Sequence, residues 1–147
     1  MRGVIKGAPL RILAIDYGKT RVGIAITDPL GVISQPLVTL KYRNDKSLVE
    51  RLKYLVKQNN VGTVLVGNPL SMQGKPTAMS QTIERFVTKL RRVLKVEVKL
   101  WDERMTSKYA QMLQKEMGIK NYREKTDQIA ACIILDEYLK TQSHCSA

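Results

Sequence analysis

Histidine is almost missing from this chain. Its one copy, His144, stands close to the end of the 147-residue sequence, so no histidine in the body competes as a metal ligand. Cysteine is scarce as well. Cys132 lies inside an apolar helical pattern and Cys145 near the terminus, a spacing that matches no zinc motif and does not read as a disulfide pair. A reducing compartment is the default, and the expectation is a cytoplasmic protein. Aromatic residues make up 5% of the chain, with one Phe and one Trp, which leaves an aliphatic core. No run approaches the roughly 20 apolar residues of a membrane span. Residues 1–10 carry Arg2 and Lys6 but lack the apolar segment of a secretory signal. There is no internal repeat and no low-complexity segment.

Acidic residues are few: 13 Asp and Glu stand against 25 Lys and Arg, for a formal net charge of +12. A domain this basic attracts polyanions, and nucleic acid is the obvious one; the alternative is a merely solvated cationic surface. The basic residues cluster. Lys89, Arg91, Arg92 and Lys95 form one group, and Lys115, Lys120, Arg123 and Lys125 another. The length suits one domain with a real core and falls short of two. A leader over 1–9, a single domain over 10–142 and a tail over 143–147 are expected.

What the chain does contain is organised around Arg11 to Asp28. Ile12 to Ile15 is an unbroken apolar run that stops on Asp16. The polar turn Tyr17-Gly18-Lys19-Thr20-Arg21 follows, then Val22 to Ile26. Two antiparallel strands joined by a tight turn give this pattern. The first is apolar on both faces and belongs in the middle of a covered sheet. The second places Val22, Ile24 and Ile26 on one face and small Gly23 and Ala25 on the other. Asp16 then ends a buried strand, where a carboxylate needs either a metal ion or a cation such as Lys19 or Arg21.

Further along, Pro36 to Leu40 reads as a third strand, with Pro36 at its start. Asn44 or Asp45 caps a helix to about Gln58, and Val61 to Gly67 is a short buried strand. Pro76 is placed in the first turn of a helix to about Arg92. Lys95 to Trp101 is a half-exposed edge strand. Thr106 or Ser107 caps a helix ending at Gly118, a basic loop runs from Gly118 to Lys125, and Thr126 caps a last helix to about Thr141. The order β-β-β-α-β-α-β-α-α gives an α/β fold: an antiparallel meander, then strand-helix units in a mixed sheet with helices on its faces. Trp101 sits at a strand end, where packing is the ordinary reading and base stacking the other.

Three acidic positions stand out. Asp127 shares a helical stripe with Ala130, Ala131, Ile134 and Tyr138, so it points inward, although a carboxylate in a first turn also suits the helix dipole. Asp102 and Glu103 follow the edge strand. If the strand persists, alternation lets only one of them share a site with Asp16; if the chain turns, both reach. Carboxylates from separate elements that meet at one end of a sheet repel unless a cation joins them. Hard oxygen donors favour magnesium or manganese (Mg2+ or Mn2+). Such sites, often with two ions about 3.5–4 Å apart, serve phosphodiester cleavage.

Four blocks carry a resemblance that spacing alone does not. Ile15-Asp16-Tyr17-Gly18, Arg21-Val22-Gly23-Ile24-Ala25 and Thr27-Asp28-Pro29 make up the first. Val66-Gly67-Asn68-Pro69-Leu70 with Gly74 is the second, Asp102-Glu103-Arg104-Met105-Thr106-Ser107 the third, and Asp127 with Ala130-Ala131 and Ile133-Ile134-Leu135 the fourth. In this order, over about residues 10–140, the chain resembles the YqgF (RuvX) family, known under the headings of Holliday junction resolution and pre-16S rRNA processing. The resemblance implies an RNase H-like fold with a five-stranded mixed sheet and the first strand central. It implies Asp16, Glu103 and Asp127 as catalytic metal ligands, with Asp102 a further candidate. Lys19, Thr20, Arg21, Asn68, Arg104 and Ser107 fall around that site as candidate substrate contacts, beside ordinary capping or ion-pairing roles. Lys120, Arg123 and Lys125 are the candidate gripping loop. Two positions depart from the family pattern: Lys19 and Thr20 are swapped, and Asn68 replaces a Leu.

The function expected is a metal-dependent endonuclease of structured nucleic acid, pre-rRNA first and branched DNA second. A ribosomal particle is a possible presenting partner, and the chain is expected as a monomer or weak homodimer. Symmetric cutting of a junction would want a dimer, and no dimerisation surface is obvious in the sequence. The competing classes are a non-catalytic nucleic-acid-binding factor in transcription or ribosome biogenesis, and an actin-like ATPase. The latter closes two related domains, for which the chain is too short.

Overall fold

The computed structural model describes residues 10–71, 73–102 and 122–145. Five strands form one mixed sheet: β1 (Arg11–Tyr17), β2 (Arg21–Thr27), β3 (Ser34–Lys41), β4 (Val61–Asn68) and β5 (Glu97–Asp102), in the order β3-β2-β1-β4-β5. β1 pairs antiparallel with β2 and parallel with β4, so the most apolar strand is central, as its two-sided pattern requires. β3 and β5 are the edges.

Helices α1 (Asp45–Gln58) and α2 (Ala78–Val93) cover one face, and α3 (Tyr122–Cys145) the other. Alternation along β1 sorts the two cores. Leu13 and Ile15 join Ile24, Val66, Leu48, Leu52, Ile83 and Phe86 in a large layer under α1 and α2. Ala14 joins Ala25, Leu65, Ala131, Ile134 and Leu135 in a thin layer under α3. The thinness is a matter of side-chain size: alanines and Gly23 on the sheet let the helix axis come close.

Side chains lock the frame. The buried Thr27 hydroxyl accepts the Ile12 N–H at 3.0 Å, tying the start of the central strand to the end of its neighbour. Thr27→Val keeps the shape and removes the acceptor. It should cost about 1–3 kcal/mol, measured as a shift of the urea midpoint. Arg91 donates to the Val98 carbonyl through Nε (3.2 Å) and Nη2 (2.9 Å), fastening α2 to the edge strand. One member of the basic group at 89–95 is therefore structural.

Several boundaries differ from the sequence expectation. Pro36 lies inside β3, opposite Ala25 and beside a register shift, a place on an edge strand where a missing N–H costs nothing. Pro76 precedes α2 instead of opening it. Thr77 is the cap, because its hydroxyl accepts the Ser80 N–H at 3.0 Å while Ser80 Oγ accepts the Thr77 N–H at 2.7 Å. The last helix starts at Tyr122, not after a cap at Thr126, since no breaker interrupts the good helix formers Arg123, Glu124 and Lys125. It also runs on through the expected tail to Cys145. The Thr141 hydroxyl donates to the Tyr138 carbonyl at 2.7 Å and so stays within the helix. Trp101 is a packing residue: its Nε1 donates to Glu137 at 3.3 Å and its ring meets Tyr138 edge-on at 5.6 Å. The leader over 1–9, the helix expected from Thr106 or Ser107 to Gly118 and most of the basic loop lie outside the described residues. Among those described, no helix is long and apolar enough to cross a membrane.

Candidate active site

Asp16 sits one residue from the C-terminal end of β1 and pairs with Gly23 of β2. Alternation puts it on the α3 side, with Ala14. Gly23 is where α3 touches the sheet. A Cβ there would lie 2.1 Å from the Asp127 carbonyl oxygen and 2.7 Å from its Cβ. The absence of a side chain at 23 therefore brings Asp127 against the residue paired with Asp16. Arg21 projects from β2 to the same side, and its Nε lies 3.1 Å from Asp127 Oδ2.

These contacts settle the two bland alternatives for Asp16. Arg21 pairs with Asp127, and Lys19 is exposed on the turn. Asp16 is left largely desolvated, facing a second carboxylate. Burial first, and the Asp127 charge second, push its carboxyl up to about 7 from an ordinary 3.8. A divalent cation would favour the charged form of both groups. Both are hard oxygen donors, so they fit magnesium or manganese better than a softer ion. Among the described residues no three His, Cys, Asp or Glu side chains form a metal group. Glu103, Arg104, Ser107 and Lys120 lie outside the described residues, and Arg123 and Lys125 are placed in the first turn of α3 by backbone only.

Asp102 is described and exposed. Lys99 and Trp101 meet α3 through Tyr138 and Glu137, whereas Val98 and Leu100 join the α1/α2 core. Asp102 therefore belongs to the α1/α2 side, away from Asp16. Asn68 is its register partner on β4 and is buried, with Oδ1 lacking a hydrogen-bond partner among the described residues. A buried amide left unsatisfied costs free energy unless a ligand completes it. Thr20 is exposed, and its carbonyl accepts the Tyr42 N–H at 3.1 Å.

A brace on the other side of the strand end was not legible in the sequence. The Tyr17 hydroxyl donates to Asp45 Oδ1 at 3.0 Å, and Lys89 reaches Asp45 Oδ2 at 3.1 Å. The Tyr17 ring lies 4.6 Å from that of Phe86. One residue beyond Asp16, β1 is thus fixed to both α1 and α2. Burial, with Tyr42 and Asp45 alongside, holds the Tyr17 phenol far above its usual range.

A five-stranded mixed sheet of this order, with Asp16 and Asp127 brought together where its central strand ends against a helix, is an RNase H-like fold. Solved structures share the fold. Thermus thermophilus RuvC in complex with a Holliday junction aligns with a TM-score of 0.60 at 15% identity, over 91% of this chain and 96% of that one. The Fowlpox virus resolvase with Holliday junction DNA aligns with a TM-score of 0.53 at 15% identity, over 90% and 99%. The chain belongs to the family described as "RuvX: Holliday junction resolvase", which matches residues 10–141. A relative from Acetivibrio thermocellus, named "Putative pre-16S rRNA nuclease", is 42% identical over 137 residues, covering 90% of this chain and 97% of its own. One of the same name from Koribacter versatilis is 35% identical over 132 residues, covering 88% and 86%. Nuclease membership carries with it nucleic acid as the partner and a general dependence on a divalent metal.

Proposed function

We propose that this chain is an endonuclease that matures the 5′ end of pre-16S rRNA, using magnesium or manganese held by Asp16, Glu103 and Asp127. The observation that carries the reading is the convergence of Asp16 and Asp127 through Gly23, with the Asp16 carboxyl raised by burial and by its neighbour. Glu103 is preferred to Asp102 as the third ligand on the family resemblance, and Asp102 belongs to the opposite side of the sheet. When bound, the metal supplies Lewis-acid stabilisation of charge on the phosphate. Asp16 and Asp127 fix its place, and Arg21 fixes Asp127. Lys19, Thr20, Arg21, Asn68, Arg104, Ser107, Lys120, Arg123 and Lys125 are the proposed substrate contacts. Asn68 would complete its amide on the substrate, and the cations would neutralise phosphates. The names of the two relatives favour rRNA as the substrate. The working setting is cytoplasmic, as a monomer or weak homodimer, with a ribosomal particle able to present the RNA.

The second reading, resolution of a four-way DNA junction, is favoured by the family description and by the RuvC-like fold. A side-by-side assay in magnesium or manganese separates the two. The rRNA precursor should be cut at least about tenfold faster than the junction, a difference of ~1.4 kcal/mol in barrier. Faster cutting of the junction would select the second reading. Cutting of neither would move the chain to the non-catalytic binding class.

A further inference from the structure

The corner where β3 runs into α1 combines charge, an exposed aromatic ring and a cleft, and the cleavage site uses none of it. Arg43 and Lys46 are exposed there. The acid between them, Asp45, is held by Tyr17 and Lys89. Arg51 Nη1 donates to the Lys41 carbonyl at 2.6 Å, and Lys41 pairs with Arg21 of β2. One turn along α1, Tyr54 is 63% exposed and lines a cleft with Leu40, Glu50, Arg51 and Leu55. Arg51 and Tyr54 share a helix face at a spacing of three. The ledge is also fixed to the turn that follows Asp16: the Tyr42 N–H donates to the Thr20 carbonyl and the Tyr42 hydroxyl to the Gly18 carbonyl.

Exposed cations at an edge of the sheet, followed by an exposed ring beside an apolar cleft, suit one ligand: a single-stranded nucleic acid that passes around the β3 edge with its phosphates on the cations and a base on the ring. A base-paired duplex keeps its base faces stacked and has nothing to offer Tyr54. Glu50 is the one acid lining the cleft among the described residues, and an exocyclic base amine suits it where a phosphate does not. We propose that the β3–α1 corner binds an unpaired flank of the nucleic-acid substrate, with Arg43, Lys46 and Arg51 on its backbone and Tyr54 stacked on a base. The proposal rests on the nuclease reading for the identity of the polymer, and it names the substrate as a structured nucleic acid with a single-stranded extension.

The test is fluorescence anisotropy on the full chain in EDTA, where no cutting intervenes. The probes are an RNA hairpin and the same hairpin with an unpaired tail of about six nucleotides, within the range one domain of this size spans. The tail should tighten wild-type binding roughly tenfold; Tyr54→Ala should remove that gain and Tyr54→Phe retain it. Arg43→Ala with Lys46→Ala should lower the salt slope on the tailed probe by about 1.4, two phosphates' worth for a single strand. A tail that adds nothing, or a gain that survives Tyr54→Ala, overturns the proposal. Its failure is distinct from failure of the nuclease reading. A chain that grips the tail through Tyr54 and cuts no substrate refutes the latter alone. One that cuts and ignores the tail refutes only the former.

Discussion

Asp16→Asn should abolish metal-dependent cleavage while making the metal-free protein more stable. The loss of rate should be about 10³-fold or more, because one of the charges proposed to hold the ion is removed. The gain in stability follows from the raised carboxyl. With a folded value of about 7 against 3.8, the folded protein holds the Asp16 proton more tightly than the unfolded chain does. That contribution is complete below about pH 4 and drains away as pH rises through about 7, beyond which the buried charge is a standing cost. Asn carries no such charge. In EDTA at pH 8 the variant should be more stable by on the order of 2 kcal/mol, less than the full shift would give because the strand end keeps some contact with water. Its stability should also change less between pH 5 and about 8. Added magnesium should stabilise wild type and leave the variant unmoved. Denaturant titrations with and without metal measure all of this. Undiminished cutting, or a variant less stable than wild type in EDTA, would sink the role given to Asp16.

Gly23→Ala should be nearly as damaging, although the residue carries no functional group. The added methyl would sit 2.1 Å from the Asp127 carbonyl oxygen and 2.2 Å from its carbonyl carbon. Those are backbone atoms, so no rotamer change relieves the clash and α3 itself must retreat. Next to Gly23 the sheet side of that layer is Ala25 and Ala14, side chains too short to follow the helix, so the thin core opens there. A destabilisation of about 3 kcal/mol is expected from overpacking of this kind. Displacing Asp127 by about 1 Å should by itself lower cleavage by roughly 10²-fold. Thermal melting and single-turnover cleavage check the two effects. A proton titration of Asp16 adds a readout that simple loss of stability does not move: with α3 drawn back, water reaches Asp16 and Asp127 moves away, so the Asp16 carboxyl should fall back toward the ordinary range. Wild-type cleavage in a folded Gly23→Ala protein would show that close approach of α3 is not needed.

The fold was legible wherever a periodic pattern met an unambiguous stop. The run Ile12 to Ile15 ending on Asp16, and the alternation Val22, Ile24, Ile26 against Gly23 and Ala25, are enough to set the central hairpin and the two sides of the sheet. The face of α1, with Leu48, Leu52 and Val56, follows from its 3.6-residue period. The start of α3 was not legible: Thr126 is a fair cap by residue type, yet the helix already runs from Tyr122, through the good helix formers Arg123, Glu124 and Lys125. Pro76 and Thr77 present the same difficulty, since the reciprocal bond with Ser80 decides between neighbours. Within the site, Asp16 and Asp127 could be picked out because each breaks an apolar stripe. The pairing of Arg21 with Asp127 could not, because two cations in one turn look alike until the sheet fixes which side each faces. The corner at Tyr54 was hidden for a related reason. Its residues come from a strand end, a loop and two helical turns, and no local window brings them together.

The thinness of the layer beneath α3 bears on the order in which the enzyme becomes active. The five strands with α1 and α2 contain the larger of the two cores, and all of that precedes Asp127 in the chain. During synthesis that half can collapse while the last helix is still being made. Asp16 is then already seated, but it stands alone. The acid that completes the pair arrives only when α3 docks on Gly23. If the proposed site is the cutting site, a nascent copy carries its first acid without the second, and no cleavage begins before α3 has docked.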